Sequence, residues 1–280
     1  ILDMTPLKTH DTQGWPTFVD WPFHDSQLHQ QMYWRWVERA WMSGLRLMTI
    51  HGTNIEALCQ VAQLLGPVRG QNPADLECGD MEVGVAQVEY LFDIQDYVDA
   101  QFGGPGKGFF RIVGSPSEAR QVIADGKLAV VPGLEFSNLF GCNVIFLPGG
   151  GEVPMCDRAQ IDAEIDRIWD LGVRQVFPYH DIDSALGGAG LFQNFLEIFN
   201  FVGTGRFWDT YACDDGGEGE TYFYNAGLKS LVEPLMLGND PLTDFLLGLT
   251  GGLTPTLHSG RRCNQRDVTD LGIYAIDKLM

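Results

Sequence analysis

Three polar residues stand at the ends of apolar runs. His51 follows Leu45–Ile50, Glu135 closes the run that begins at Lys127, and His180 closes the run that begins at Val173. A carboxylate has two oxygens with which to bind cations or accept a proton. An imidazole can ligate a metal, carry a proton or donate to a developing oxyanion. Alone, each is ordinarily a hydrogen-bonding group at a strand end. As a set they point to chemistry, because a parallel sheet or barrel brings the carboxyl ends of its strands to one mouth. Two further carboxylates, Asp181 and Asp183, follow His180. Asp183 suits a substrate amine and equally suits capping the next helix. Glu135 with Asp181 or Asp183 also forms the kind of carboxylate pair with which glycosidases work, which would mean sugar binding without a metal.

The elements that must position these residues alternate. Residues 1–24 read as an irregular Pro/Trp-rich segment packed on something larger. A helix capped by Asp25 or Ser26 is predicted over 27–43, with Leu28, Met32, Trp36, Ala40 and Trp41 near helical spacing. A strand over 45–50 follows. A second helix is predicted from Asp80 to Phe102, with Val88, Leu91, Phe92, Val98 and Phe102 on one side. Phe109–Val113 reads as a short strand. Ser115, Pro116 and Glu118 spell an N-cap, a first-turn proline and a capping box for a helix that stops at Gly126. The strand ending at Glu135 comes next. Ile161, Ile165 and Ile168 mark the inner face of a helix over 158–171 that stops at Gly172, and the strand ending at His180 follows. This alternation predicts an α/β fold with a parallel sheet, in one domain over 1–280.

Charge narrows the partners. Eighteen Lys and Arg stand against 37 Asp and Glu, a formal net charge of −19. Such a chain is not held to nucleic acid or to an anionic membrane by its overall charge. No apolar run is long enough to span a bilayer.

The six cysteines contain no C-x-x-C pair, which argues against a zinc ribbon or a thioredoxin-type site. Their spacing suggests loop staples: Cys59 with Cys78, Cys142 with Cys156 across the Gly-rich loop Leu147–Pro154, and Cys213 with Cys263 as the remaining pair. That reading leans to an exported protein. The competing reading is six buried thiols in the cytosol.

Other motifs have bland readings. The acidic run Asp214–Glu220 lacks the EF-hand pattern and reads as a solvated loop. Gly103–Gly108 lacks phosphate-loop spacing and reads as a turn. Gly187–Gly190 reads as a βα loop. Trp34, Trp36 and Trp41 form a core stripe more readily than a carbohydrate platform. Arg261 and Arg262 are a dibasic pair in a polar loop.

Three blocks carry a resemblance: Gly126–Glu135, Leu171–His180, and Val268–Gly272 before a short helix. In order and spacing over roughly 127–280 they resemble the membrane (renal-type) dipeptidases, zinc peptidases with a (β/α)8 barrel of the amidohydrolase type. The resemblance implies that Glu135 bridges two zinc ions. It implies that His180 contacts substrate and steadies the tetrahedral intermediate; His51 and Asp183 are expected at the substrate from their positions in the sequence. The activity implied is hydrolysis of a small peptide or amide bond by metal-activated water, in a secreted protein. Departures are clear. The chain has no His-x-Asp for a first strand, and it stops at the helix after which that family takes further ligands. Phe136–Ser137 follows Glu135 where the dipeptidases commonly have Gly-Gly. The expectation is an incomplete TIM-type barrel that pairs with other segments of the same protein or forms a homo-oligomer. The alternative is a non-catalytic secreted structural or binding protein that kept the barrel and lost the metal site.

Overall fold

The structure, a computed structural model, describes residues 34–65, 77–191, 196–212 and 262–280. In chain order the elements are α1 (Trp34–Met42), β1 (Leu47–Thr53), α2 (Glu56–Leu65), α3 (Asp80–Gln101), β2 (Phe110–Ile112), α4 (Pro116–Ala124), β3 (Leu128–Glu135), β4 (Val144–Phe146), β5 (Glu152–Pro154), α5 (Arg158–Leu171), β6 (Gln175–Phe177), α6 (Leu196–Thr204), β7 (Thr210–Ala212), β8 (Arg262–Asn264) and α7 (Asp270–Leu279).

The chain is mixed α/β with a parallel sheet centred on β3. β1 runs along one edge of β3, with Leu47 opposite Ala129 and Thr53 opposite Glu135. The other edge is shared: β2 pairs with Leu128–Val130 and β6 with Gly133–Glu135. Pro132 sits between the two, where it has no N–H to donate. Its carbonyl still accepts from Arg174 N at 2.9 Å. Two antiparallel pairs, β4 with β5 and β7 with β8, lie outside this sheet.

Local chemistry explains the helix ends. Ser115 Oγ accepts from Glu118 N at 3.2 Å, and Glu118 reaches back to Gly114 N at 2.7 Å. Asp157 caps α5 through Gln160 N at 2.9 Å. Gly172 closes the same helix at φ +99°, a left-handed conformation that favours glycine. Thr269 caps α7 through Gly272 N.

Two apolar clusters pack against the sheet. One joins Val88 of α3, Leu134, Phe136, Phe140, Ile161 and Ile168. The other joins Val98, Phe109, Phe110, Leu128 and Val130, with Trp34, Val37 and Trp41 packed against it. Trp41 stacks on Phe109 at 4.8 Å and donates its Nε1–H to Gly126 O. Trp34 and Trp41 are thus core-packing residues. The backbones of β1 and α3 nearly touch: a Cβ on Gly52 would meet Gly84 O at 2.8 Å. This close approach places the start of α3 beside the carboxyl end of the sheet.

The structure departs from the sequence reading in several elements. Of the helix expected over 27–43, only Trp34–Met42 falls within the described residues. Phe92 and Phe102 are substantially exposed, so the buried apolar stripe of α3 runs through Met81, Val88, Leu91 and Val98 without them. The loop between Cys142 and Cys156 is a hairpin, turned by Gly149, Gly150 and Gly151 at positive φ. The strand expected over 173–180 pairs in the ladder only over Gln175–Phe177, and beyond Phe177 β3 has ended at Glu135 and offers no neighbour. Helices α2 and α6 were not expected.

The predicted pairs Cys59–Cys78 and Cys142–Cys156 are disulfides, with Cα atoms 5.5 and 4.8 Å apart. Cys263 is also disulfide-bonded. Cys213 lies outside the described residues, as do residues 1–24, the acidic run Asp214–Glu220 and Arg261. Among the described residues no helix is long and apolar enough to cross a membrane.

Candidate functional site

The register of β1 and β3 builds the first half of the site. His51 lies opposite Gly133 and Thr53 opposite Glu135. Residues two apart on a strand share a face, so His51, Gly133 and Glu135 face the same way. The His51 ring lies over Gly133, where a Cβ would collide with it. From there His51 Nδ1 reaches Glu135 Oε2 at 3.1 Å. The other ring nitrogen, Nε2, is buried without a hydrogen-bond partner.

The second half comes from the segment after β6. His180 Nδ1 lies 3.0 Å from Glu135 Oε1, and its Nε2 lies 2.9 Å from Asp181 Oδ2. Glu135 therefore stands between two histidines, and His180 stands between two carboxylates. A neutral imidazole has one N–H and could satisfy only one carboxylate. Burial disfavours the charged ring, but Asp181, Glu135 and Asp80 together outweigh it and raise the His180 pKa. Both ring nitrogens of His180 thus lie within ion-pair distance of a carboxylate. Its ring meets Phe177 edge-on at 6.0 Å.

The loop after Glu135 fixes this arrangement. Ser137 Oγ accepts from Asp181 N at 3.0 Å and Ile182 N at 3.1 Å, which sets the turn that carries Asp181. Phe136 buries against Gly84 of α3. Asn138 N donates to Asp80 Oδ2 at 3.1 Å, and Asn138 Nδ2 donates to Glu56 Oε2 at 3.1 Å. Asp80 also accepts from Asn54 Nδ2 at 2.9 Å and Glu56 N at 3.0 Å. One carboxylate so ties the loops after β1 and β3 to the start of α3. Burial, with Glu56 adding to it, pushes the Asp80 carboxyl up to about 7 against the pull of these donors. Burial raises Glu56 as well, and Glu82 and Glu77 add to the rise.

The structure thus brings His51, Glu135 and His180 together, as the strand-end pattern predicts. It does not bring Asp183 to them. That carboxylate is fully buried and accepts from Asn264 Nδ2 at 2.7 Å and Ala189 N at 3.2 Å. Its backbone N–H donates to Asn200 Oδ1 at 2.7 Å. It ties the 181–189 loop to β8 from inside. Glu135 and Asp181 face each other across the His180 ring, which leaves no gap between them for a glycosidic bond. The Gly103–Gly108 segment folds its own N–H groups onto protein: Gly106 N and Gly108 N both donate to Asp99. Asp80, Ser137 and Asn138 escaped the sequence reading. Asp80 is indistinguishable by type from any first-turn acid, and Ser137 and Asn138 look like loop residues.

Beside His180 lies a cavity of about 390 Å³ walled by Thr53, Asn54, Ile55, Leu58, Cys59 and the His180 ring. Among the described residues no three His, Cys, Asp or Glu side chains are arranged to hold a metal ion. No family model, curated protein or solved structure matches the chain.

Proposed function

We propose that the chain is a dipeptidase-like hydrolase of small peptide or amide bonds, on a (β/α)8-type barrel of which the parallel sheet is a sector. The observation that carries this reading is the position of Glu135. Its two oxygens lie between His51 and His180 at the carboxyl ends of neighbouring parallel strands. Barrel enzymes place their chemistry at that end.

The donor chemistry suits zinc, which takes carboxylate oxygen and imidazole nitrogen. Glu135 would be the residue to hold the metal, as the resemblance to the dipeptidases implies for zinc. Further ligands would come from outside the described residues. A bound zinc supplies a water of lowered pKa as nucleophile. The chain's own residues do the rest. His51 orients Glu135. His180, beside Asp181, would steady the oxyanion by turning the ring nitrogen that now faces Glu135 toward the reacting carbonyl. The disulfides suit an oxidising compartment, and we place the protein outside the cytosol on that ground.

The test is metal content and turnover in two variants. Glu135→Gln loses metal. His180→Ala keeps metal and loses turnover. Full metal content in Glu135→Gln overturns the assignment.

A second reading, a non-catalytic structural or binding protein on the same fold, draws on the inward engagement of the same groups. Both oxygens of Glu135 and both nitrogens of His180 face partners within the chain. On that reading neither variant changes metal content, and both lower the melting temperature.

A further inference from the structure

We infer that the cavity beside His180 seats an apolar side chain of the substrate and that Leu58 sets the size it accepts; this deepens the hydrolase reading and rests on it. One wall is the His180 ring, whose nitrogens face Glu135 and Asp181. A bond held for attack beside the Glu135–His180 pair has its adjoining substituent at this opening.

The opposite wall is the turn from β1 into α2, with Ile55 and Leu58. It is held firmly. Glu56 N donates to Asp80 Oδ1 at 3.0 Å, Asn54 Nδ2 donates to Cys78 O at 2.8 Å, and the Cys59–Cys78 disulfide pins α2 to the start of α3. Several polar groups of this wall are already engaged. Gln87 takes the Thr53 N–H at 3.0 Å and donates to the Thr53 carbonyl at 2.8 Å. The Asn54 amide nitrogen donates to Cys78 and Asp80. A polar substituent entering here would lose water and find few donors, whereas a hydrocarbon loses nothing. The carboxylates of Glu56, Asp80, Glu135 and Asp181 around the site disfavour an anionic one. At about 390 Å³ the space exceeds a methyl group and admits a leucine- or phenylalanine-sized side chain. Leu58 is the adjustable element of the wall: Cys59 is fixed by its disulfide and Asn54 by its hydrogen bonds, while Leu58 is half-buried and faces the space.

The experiment uses the full chain with zinc supplied, and Gly-Gly, Leu-Gly and Phe-Gly as probes. Hydrolysis and, separately, binding by NMR titration are measured for the wild type, Leu58→Ala and Leu58→Trp. Leu58→Trp is expected to lower kcat/KM for Leu-Gly and Phe-Gly by about tenfold to a hundredfold while leaving Gly-Gly within about twofold. Leu58→Ala is expected to shift preference toward Phe-Gly. An equal change for all three dipeptides, or no change, overturns the inference. If the wild type hydrolyses none of them, the hydrolase reading fails and the titration decides the cavity. Leu-Gly binding that Leu58→Trp abolishes sustains it; absent binding, or binding indifferent to residue 58, overturns it.

Discussion

Gly133 lies directly across the β1–β3 ladder from His51, and the absence of a side chain there is what lets the imidazole fold over the strand to reach Glu135. Gly133→Ala is expected to push the His51 ring off Glu135. The clash is with a side chain that can rotate, so the stability cost should stay near about 1 kcal/mol. Denaturant midpoints and the His51 ring resonances measure the two effects together. A ring environment identical to wild type would show that the glycine does not set the contact.

Ser137 acts on the site through the backbone. Ser137→Ala removes the acceptor of Asp181 N and Ile182 N and leaves two buried donors unpaired. The expected loss is about 2 kcal/mol. The Asp181 side chain should also lose its fixed distance to His180. Chemical denaturation gives the first quantity, and the His180 ring titration followed by NMR gives the second.

Glu197 sits buried on α6, and burial alone pushes its carboxyl up to about 8 from 4.5. The fold therefore favours the protonated acid. The stability it contributes is full below its unfolded value and is lost as pH rises through about 8. Glu197→Gln should change little near pH 4 and stabilise the protein near pH 9 by on the order of a few kcal/mol. Urea midpoints across that range check the sign. An equal shift at both ends would mean that ionisation of this group is not the cause.

The Cys142–Cys156 bridge closes a short loop, with a sequence separation of 14. Replacing both cysteines by serine should cost about 3 kcal/mol if the bridge acts through the unfolded chain. The β4–β5 hairpin inside it should remain, since its own ladder and glycine turn form it. Thermal melts and amide exchange over 144–154 separate the two outcomes.

Much of the frame was legible from residue type. Ser115-Pro-Ser-Glu118 and Gly172 mark helix ends because their chemistry is local, and α4 and α5 end where those residues stand. The strand-end position of Glu135 was legible too, since an apolar run ending in a polar residue is a short-range pattern, whereas β1 runs on through His51 to Thr53 and β6 stops at Phe177, short of His180. What was not legible depends on partners far away in sequence. Asp80 serves the site because Asn54, Glu56 and Asn138 converge on it. Asp183 reads like its neighbour Asp181, yet Asn264 draws its carboxylate inward. The hairpin after Cys142 was hidden by Gly149–Gly151, which signal a turn but not the pairing on either side of it.

The central place of β3 bears on how the chain folds. Its pairing with β1 joins residues roughly 80 positions apart, and the site exists only once that pairing is made. The bridges at Cys59–Cys78 and Cys142–Cys156 each span fewer than twenty positions, the first inside the stretch between β1 and β3 and the second beyond β3. Oxidation can pre-form the local loops, and the Cys59–Cys78 bridge shortens the stretch between β1 and β3 only modestly, an effect that loop closure feels weakly. Refolding should therefore be slow whether or not these thiols are paired.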